Sequence, residues 1–122
     1  MAEQWCITIV SEGPSPFVPD VYVDPDTPAP TALIASTGDL VSWNNQTKDD
    51  HDLAITDENF EVKTPGSSIT NPIAPWKPSP KGYVTATADA SPVPPATVTF
   101  PVTIYYACTV HPDEHGTIEL IA

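Results

Sequence analysis

The stretch that decides the fold is Val102-Thr-Ile-Tyr-Tyr-Ala-Cys108-Thr-Val-His111-Pro-Asp-Glu114-His115-Gly-Thr-Ile-Glu-Leu-Ile-Ala122. It begins with β-branched and aromatic residues, which are typical of a strand. It then presents four potential metal ligands within eight residues: Cys108, His111, Glu114 and His115. A thiolate and an imidazole three residues apart can reach one ion from a single loop, and this donor pair suits copper or zinc. The sequence therefore predicts a strand, a metal-binding loop and a second strand.

This segment resembles the C-terminal ligand loop of the cupredoxins, the blue-copper proteins, which reads Cys-x-x-His, a few residues, Met and Gly. The run from Cys108 to Gly116 is similar to the short, amicyanin-like form of that loop. It departs from that form because Glu114 stands where the weak axial Met is expected, and Met1 is the single methionine. The segment Leu40-Val-Ser-Trp-Asn-Asn45 also resembles the family strand that precedes the first copper histidine. The resemblance covers roughly residues 31 to 122.

The resemblance implies one copper ion per chain, bound by His51, Cys108 and His111, with Glu114 as a fourth, axial ligand. Of these, His51 follows the predicted Trp-containing strand at a loop-to-strand junction, where the family carries its distant histidine. Two alternatives remain for the axial position: Glu114 could face solvent, or His115 could take its place. Asp52 follows His51 where family members often carry an Asn that ties the ligand loops together, and an aspartate could accept such hydrogen bonds but not donate them.

The choice of metal and the state of the cysteines are less restricted by the sequence. Zinc would also accept a thiolate, two imidazoles and a carboxylate in a tetrahedron, so the preference for copper comes from the resemblance. The two cysteines are Cys6 and Cys108, and one disulfide is the default in an exported protein. Because a histidine follows Cys108 three residues later, we favour a metal-bound Cys108, with Cys6 as a buried thiol in an N-terminal strand.

Short apolar runs separated by turn residues predict an all-β fold, a Greek-key β-sandwich or barrel of about eight strands. Sixteen prolines exclude long helices, and with no repeat or linker we expect a single domain over residues 1–122. Besides the C-terminal pair, strands are predicted at Gln4–Ser11, Val18–Val23, Thr31–Ser36, Leu40–Asn45, His51–Thr56, Ser67–Thr70 and Tyr83–Ala88. We expect the Pro-rich segment Asn71–Pro80 to be an extended loop anchored by Trp76.

The chain is strongly acidic, with sixteen acidic residues, four lysines, no arginine and a net charge of −12. Nucleic-acid binding through phosphate neutralisation is therefore excluded, and a basic docking surface on a protein partner is favoured, although acidity alone also keeps a small protein soluble. No apolar run has the length of a membrane span, and no secretory leader is visible at the start of the chain. Because most cupredoxins are exported, we expect the protein to be periplasmic or otherwise exported. We also expect it to be a monomer.

The function that follows is electron transport rather than enzymatic catalysis: a type 1-like copper domain carrying one electron between protein partners. His111 would be the exit for the electron, within an apolar patch drawn from Pro75, Trp76, Val110 and Pro112. Two alternatives stay open. A carboxylate-ligated, red-copper-type site could bind a small molecule or catalyse a reaction, and a copper storage or delivery protein could capture its ion near His51 with Asp49, Asp50 and Asp52.

Overall fold

The computed structural model describes residues 3–9, 17–19, 33–63, 68–92, 95–110 and 114–122. These residues form two four-stranded sheets, and no α-helix occurs among them. The strands are β1 (Gln4–Ile9), β2 (Phe17–Pro19), β3 (Leu33–Ala35), β4 (Leu40–Asn45), β5 (Leu53–Thr56), β6 (Tyr83–Val84), β7 (Val102–Cys108) and β8 (His115–Leu120). The first sheet has the order β2-β1-β4-β6 and the second β3-β8-β7-β5. Both sheets are mixed, because β1 pairs with β4 and β3 pairs with β8 in parallel. The all-β sandwich predicted from the sequence is confirmed.

The core lies between the two sheets and follows the two-residue alternation of the strands. On β4, Val41 and Trp43 point inward and are fully buried. On β7, Ile104 and Tyr106 do the same from the opposite sheet. The Trp43 and Tyr106 rings meet edge to face with their centroids 5.3 Å apart, a favoured geometry for aromatic pairs. This contact joins the central strands of the two sheets.

One predicted strand is shorter in the structure, and another is absent from the described residues. The strand expected over Tyr83–Ala88 ends at Val84, and Thr87–Asp89 forms a 3₁₀ turn, which lets the Tyr83 hydroxyl donate to Asp89 Oδ2 at 2.6 Å. Of the edge strand expected over Ser67–Thr70, residue 67 lies outside the described residues, and residues 68–70 form a bend instead. Strand β7 begins at Val102, as predicted, directly after Pro101, which has no N–H to donate to a neighbouring strand.

Register brings the ligand-bearing segments to one end of the sandwich. β5 pairs antiparallel with β7, and Leu53 lies opposite Cys108. β7 pairs antiparallel with β8, and Ala107 lies opposite His115. The connection from β4 to β5 crosses between the sheets and carries His51. His51 precedes Leu53 by two residues, and Leu53 pairs with Cys108 at the end of β7. His51 therefore lies beside the end of β7.

Within the described residues, no helix combines the length and the apolar character that crossing a lipid bilayer requires.

Candidate metal centre

The centre is built from residues at or next to the ends of three strands in one sheet. Cys108 is the last residue of β7, Glu114 immediately precedes β8, and His51 lies two residues before β5. The backbone N–H of Cys108 donates to the carbonyl of Glu114 at 3.0 Å, which closes the loop between β7 and β8. The backbone N–H of His51 donates to Ile73 O at 3.1 Å, and Ile73 N–H donates back to His51 O at 2.6 Å. All three donors are thus fixed by backbone hydrogen bonds.

Three side chains converge within this frame. The Nδ1 atom of His51 lies 3.6 Å from Cys108 Sγ and 3.1 Å from Glu114 Oε1. One donor atom from each residue lies within 4.8 Å of the others. The exposed fractions of His51, Cys108 and Glu114 are 0%, 1% and 2%, so the cluster is sealed from solvent. Among the described residues it is the one group of three or more His, Cys, Asp or Glu side chains placed to hold a metal ion.

The chemistry of this donor set fits a metal ion. A thiolate and a carboxylate would carry two negative charges into a buried volume, and isolated buried anions are costly unless a cation compensates them. An imidazole nitrogen and a thiolate sulfur are donors that Cu and Zn both accept, whereas hard ions prefer oxygen. His51, Cys108 and Glu114 could therefore hold a copper or zinc ion.

His111 lies outside the described residues, as does Pro112. The structure thus describes three of the four ligands expected from the sequence. It brings those three together, although they are separated by up to 63 positions along the chain, from 51 to 114.

His115 is directed away from the cluster. Its ring stacks on Phe60, with centroids 4.1 Å apart and planes 11° apart, and Phe60 also meets Tyr105 edge to face at 5.5 Å. Because successive side chains of a strand point to opposite faces, the residue after the inward-facing Glu114 lies on the outer face of the sheet. Of the two candidates for the axial position, Glu114 is the one in the buried cluster.

Asp52 joins the two ligand loops through its backbone carbonyl and not through its side chain. Asp52 O accepts hydrogen bonds from Thr109 N at 2.8 Å and from Thr109 Oγ1 at 3.0 Å. The Asp52 carboxylate turns instead toward Ser68, whose hydroxyl donates to its Oδ1. An acidic side chain is tolerated after His51 because the carbonyl performs the tie.

Sequence reasoning missed a pair of side chains behind His51. Thr47 Oγ1 lies 2.8 Å from His51 Nε2, and Asn45 Oδ1 lies 2.6 Å from the same hydroxyl. Asn45 and Thr47 are buried, at 0% and 7% exposure. The signal that could have found them is the polar Asn-x-Thr run at the end of a strand, four residues before the histidine. Asn and Thr side chains commonly organise such turns.

The two cysteines do not form a disulfide. Cys6 lies on β1 and Cys108 on β7, in different sheets, and Cys6 is half-buried rather than buried as expected. The thiol of Cys108 is thereby available to the cluster.

Comparison with known proteins finds likeness in structure and not in sequence. No model of a known family matches the chain, and no curated protein matches it. A purple cupredoxin from Nitrosopumilus maritimus is similar in structure, with a TM-score of 0.58, 17% identity, and coverage of 94% of this chain and 97% of that one. Two methionine-to-alanine variants of amicyanin, both in the Cu(I) form, have TM-scores of 0.51 and 0.50 at 15% identity, covering 98% of this chain and 81% of theirs. The fold is that of the cupredoxins, as the ligand-loop motif had indicated.

Proposed function

We propose that this cupredoxin-fold chain is a small copper protein that carries one electron between protein partners. The observation that supports the proposal is the sealed cluster of His51, Cys108 and Glu114 at one end of that fold. In this proposal His51, Cys108 and His111 hold one copper ion, and Glu114 supplies the fourth donor. Copper would supply the one-electron change between Cu(II) and Cu(I).

The protein's contribution is a donor set that moves little when the charge of the ion changes. The backbone bonds of His51 to Ile73 and of Cys108 to Glu114 fix both ligand segments. Thr109 joins these segments through Asp52 O. Groups held in this way need little rearrangement during electron exchange, which is the sense in which a preorganised site favours transfer. The burial of the three described donors favours a closed carrier site over an open site for a small molecule.

Glu114 distinguishes the proposed site from one with a thioether ligand. A carboxylate oxygen is a harder donor than a methionine sulfur and favours the more highly charged Cu(II). We therefore expect a lowered reduction potential and a spectrum shifted from blue toward green or red.

The partner we propose is a redox protein with a basic docking surface. The net charge of −12 would steer such a partner toward this chain. Two exposed apolar side chains flank the ligand segments: Trp76, at 63% exposure, and Val110, at 54%. Trp76 therefore does not anchor its segment as expected, and the fully buried Ile73 takes that role. Trp76 lies in a turn closed by the bond from Lys77 N to Ala74 O at 3.2 Å, and Ala74 O also accepts a hydrogen bond from Asn45. We propose export from the cytoplasm and a monomeric state on the family likeness.

The experiment that tests the proposal is spectroscopy and voltammetry on copper-loaded protein. We expect an intense thiolate-to-copper absorption, a Cu(II) paramagnetic resonance signal and a reversible one-electron wave. Cys108→Ser should abolish the absorption and most of the copper affinity, whereas Cys6→Ser, in the other sheet, should retain both. A colourless copper complex, the absence of a voltammetric wave, or colour retained in Cys108→Ser would contradict the proposal.

A further inference from the structure

Two polar side chains behind the metal centre, Asn45 and Thr47, form a chain of hydrogen bonds that ends on the ring of His51. We propose that Asn45 and Thr47 keep a proton on Nε2 of His51, so that Nδ1 is the ring nitrogen left to bind a metal ion beside Cys108 and Glu114. Thr47 is thus a positioning residue for the centre. The inference rests on the proposed function only in taking Nδ1 as the metal-binding atom, and the tautomer itself belongs to the metal-free protein.

The orientation of the Asn45 amide is the first step. Its Nδ2 atom lies within hydrogen-bond distance of three backbone carbonyl oxygens: Asp49 O at 2.8 Å, Ile73 O at 3.2 Å and Ala74 O at 3.2 Å. Carbonyl oxygens only accept, so the amide nitrogen must occupy this side. The Asn45 Oδ1 atom consequently faces Thr47, where it accepts the backbone N–H at 2.9 Å.

The position of the Thr47 hydroxyl proton is the second step. Thr47 Oγ1 lies 2.6 Å from Asn45 Oδ1 and 3.2 Å from Asp49 O. Neither of these oxygens carries a proton, so the short contact to Asn45 requires the hydroxyl proton to lie between the two atoms. Because a hydroxyl has one proton, Thr47 Oγ1 turns its lone pairs toward its other two neighbours, one of which is the backbone N–H of Asp49 at 3.4 Å.

The other of these two neighbours is His51 Nε2, at 2.8 Å from Thr47 Oγ1. Two lone pairs at this distance would repel, whereas an N–H on Nε2 makes a normal hydrogen bond. A proton is therefore assigned to Nε2, so that Nδ1 is the ring nitrogen that a metal ion can bind. Nδ1 is the ring nitrogen that lies 3.6 Å from Cys108 Sγ and 3.1 Å from Glu114 Oε1. The hydrogen bond made by one nitrogen sets which nitrogen is available to a metal.

The burial of Asn45, Thr47 and His51 supports this assignment. His51 and Asn45 are fully buried, and Thr47 is nearly so, so water cannot easily replace the missing partner. The opposite tautomer would leave Nε2 facing an oxygen lone pair inside the protein. Loss of such an outer hydrogen bond to a ligand histidine typically weakens metal affinity about 10–100-fold.

The first test is the tautomer in the metal-free protein. Long-range proton–nitrogen correlation spectra distinguish the two ring nitrogens of His51. We expect a proton on Nε2 in the wild type and in Thr47→Ser, which keeps the hydroxyl. Thr47→Val keeps the shape and removes the hydroxyl, so we expect the Nε2 signal to shift and the fixed preference to be lost. A wild-type His51 ring without a proton on Nε2 would overturn the inference.

The second test is metal affinity, measured by competition with a chelator using Cu(I) and Zn(II) as probes. We expect Thr47→Val to bind about 10–100-fold more weakly and Thr47→Ser to stay within about threefold of wild type. Thr85→Val is the matched control, because it removes another buried threonine hydroxyl, one that donates to Ser36 O at 2.7 Å near the start of β4. Equal affinities of Thr47→Val and Thr85→Val would contradict a positioning role. A proton on Nε2 in a protein whose copper complex is colourless would refute the electron-carrier proposal while leaving the tautomer assignment intact.

Discussion

Replacement of Glu114 by glutamine is the most informative perturbation of the proposed centre. Glutamine has nearly the same volume and shape, so Glu114→Gln removes the charge of a side chain that is 2% exposed without leaving a cavity. One unit charge at about 4 Å, with an effective dielectric constant of about 20, contributes roughly 4 kcal/mol. Because Cu(II) and Cu(I) differ by one charge, the carboxylate would stabilise the oxidised state of the proposed centre by up to that amount relative to the reduced state.

That free energy converts into a reduction potential. At 59 mV per tenfold change for one electron, roughly 4 kcal/mol corresponds to about 170 mV. The glutamine carbonyl keeps part of the dipole, so we expect the potential of Glu114→Gln to rise by about 100–170 mV. Glu114→Met should also raise the potential and should move the spectrum toward blue.

Protein-film voltammetry on copper-loaded protein measures this shift. Glu119→Gln is the matched control, because it removes the same charge from β8, the strand that Glu114 immediately precedes, about 16 Å further along at the usual rise per residue. Charges separated by more than a Debye length are largely screened, so its potential should change by less than about 20 mV. A shift in Glu114→Gln that is no larger than in Glu119→Gln, or a shift downward, would refute the reasoning that the carboxylate interacts with the metal.

Three further perturbations test the frame around the centre. Gly116→Ala should lower the free energy of unfolding in urea by about 1–3 kcal/mol, because the added Cβ would lie 2.2 Å from Cζ and 2.3 Å from the hydroxyl oxygen of Tyr106; a loss below about 0.5 kcal/mol would contradict this clash. Asp39→Asn should cost about 1–3 kcal/mol, because Asp39 Oδ2 accepts hydrogen bonds from Trp5 Nε1 and Ser36 N, both at 2.9 Å, and an amide group would face a donor. Burial raises the pKa of the Asp39 carboxyl, but the hydrogen bonds from Ser36, Trp5 and Glu3 outweigh it and hold that pKa below its ordinary value. The wild type should therefore lose this contribution to stability as the pH falls below about 4 toward the lowered pKa, whereas Asp39→Asn should lack that part of the acid dependence. Trp76 has a φ of 61°, a backbone conformation that favours glycine, so Trp76→Gly should leave the free energy of unfolding unchanged or raise it by about 1 kcal/mol. The same variant should slow electron exchange with a basic c-type cytochrome and not with hexacyanoferrate. Equal slowing of both reactions would argue against docking through Trp76.

The parts of the site that could be predicted from the sequence are those encoded locally. The strand Leu40–Asn45 has the predicted bounds, because its alternating apolar residues specify one buried face. The ligand motif at Cys108 is equally local, since it consists of residue types and short spacings. His51 was the single histidine outside the C-terminal loop, so its candidacy needed only the family resemblance.

The parts that could not be predicted depend on contacts between distant segments. Asn45 gains its role from the carbonyls of Ile73 and Ala74, in a loop that has no regular pattern to fix its path. The Asp52 carbonyl meets Thr109 only because β5 and β7 pair in one particular register. Backbone carbonyls are identical in every residue, so no sequence motif predicts which of them will form the hydrogen bonds that join the two ligand loops.

Register also decides which of two adjacent residues enters the metal centre. A slip of one residue in β8 would turn Glu114 outward and His115 inward, because strand side chains alternate between faces. Gly116 lies opposite Tyr106, and the Tyr106 ring occupies the space where a Cβ of residue 116 would be. After a slip in either direction, His115 or Thr117 would stand opposite Tyr106, and the Cβ of either would collide with a ring that is 1% exposed and packed on Trp43. The glycine that closes the ligand loop therefore pins the register of β8, and through that register it selects the carboxylate over the imidazole as the side chain that faces His51 and Cys108.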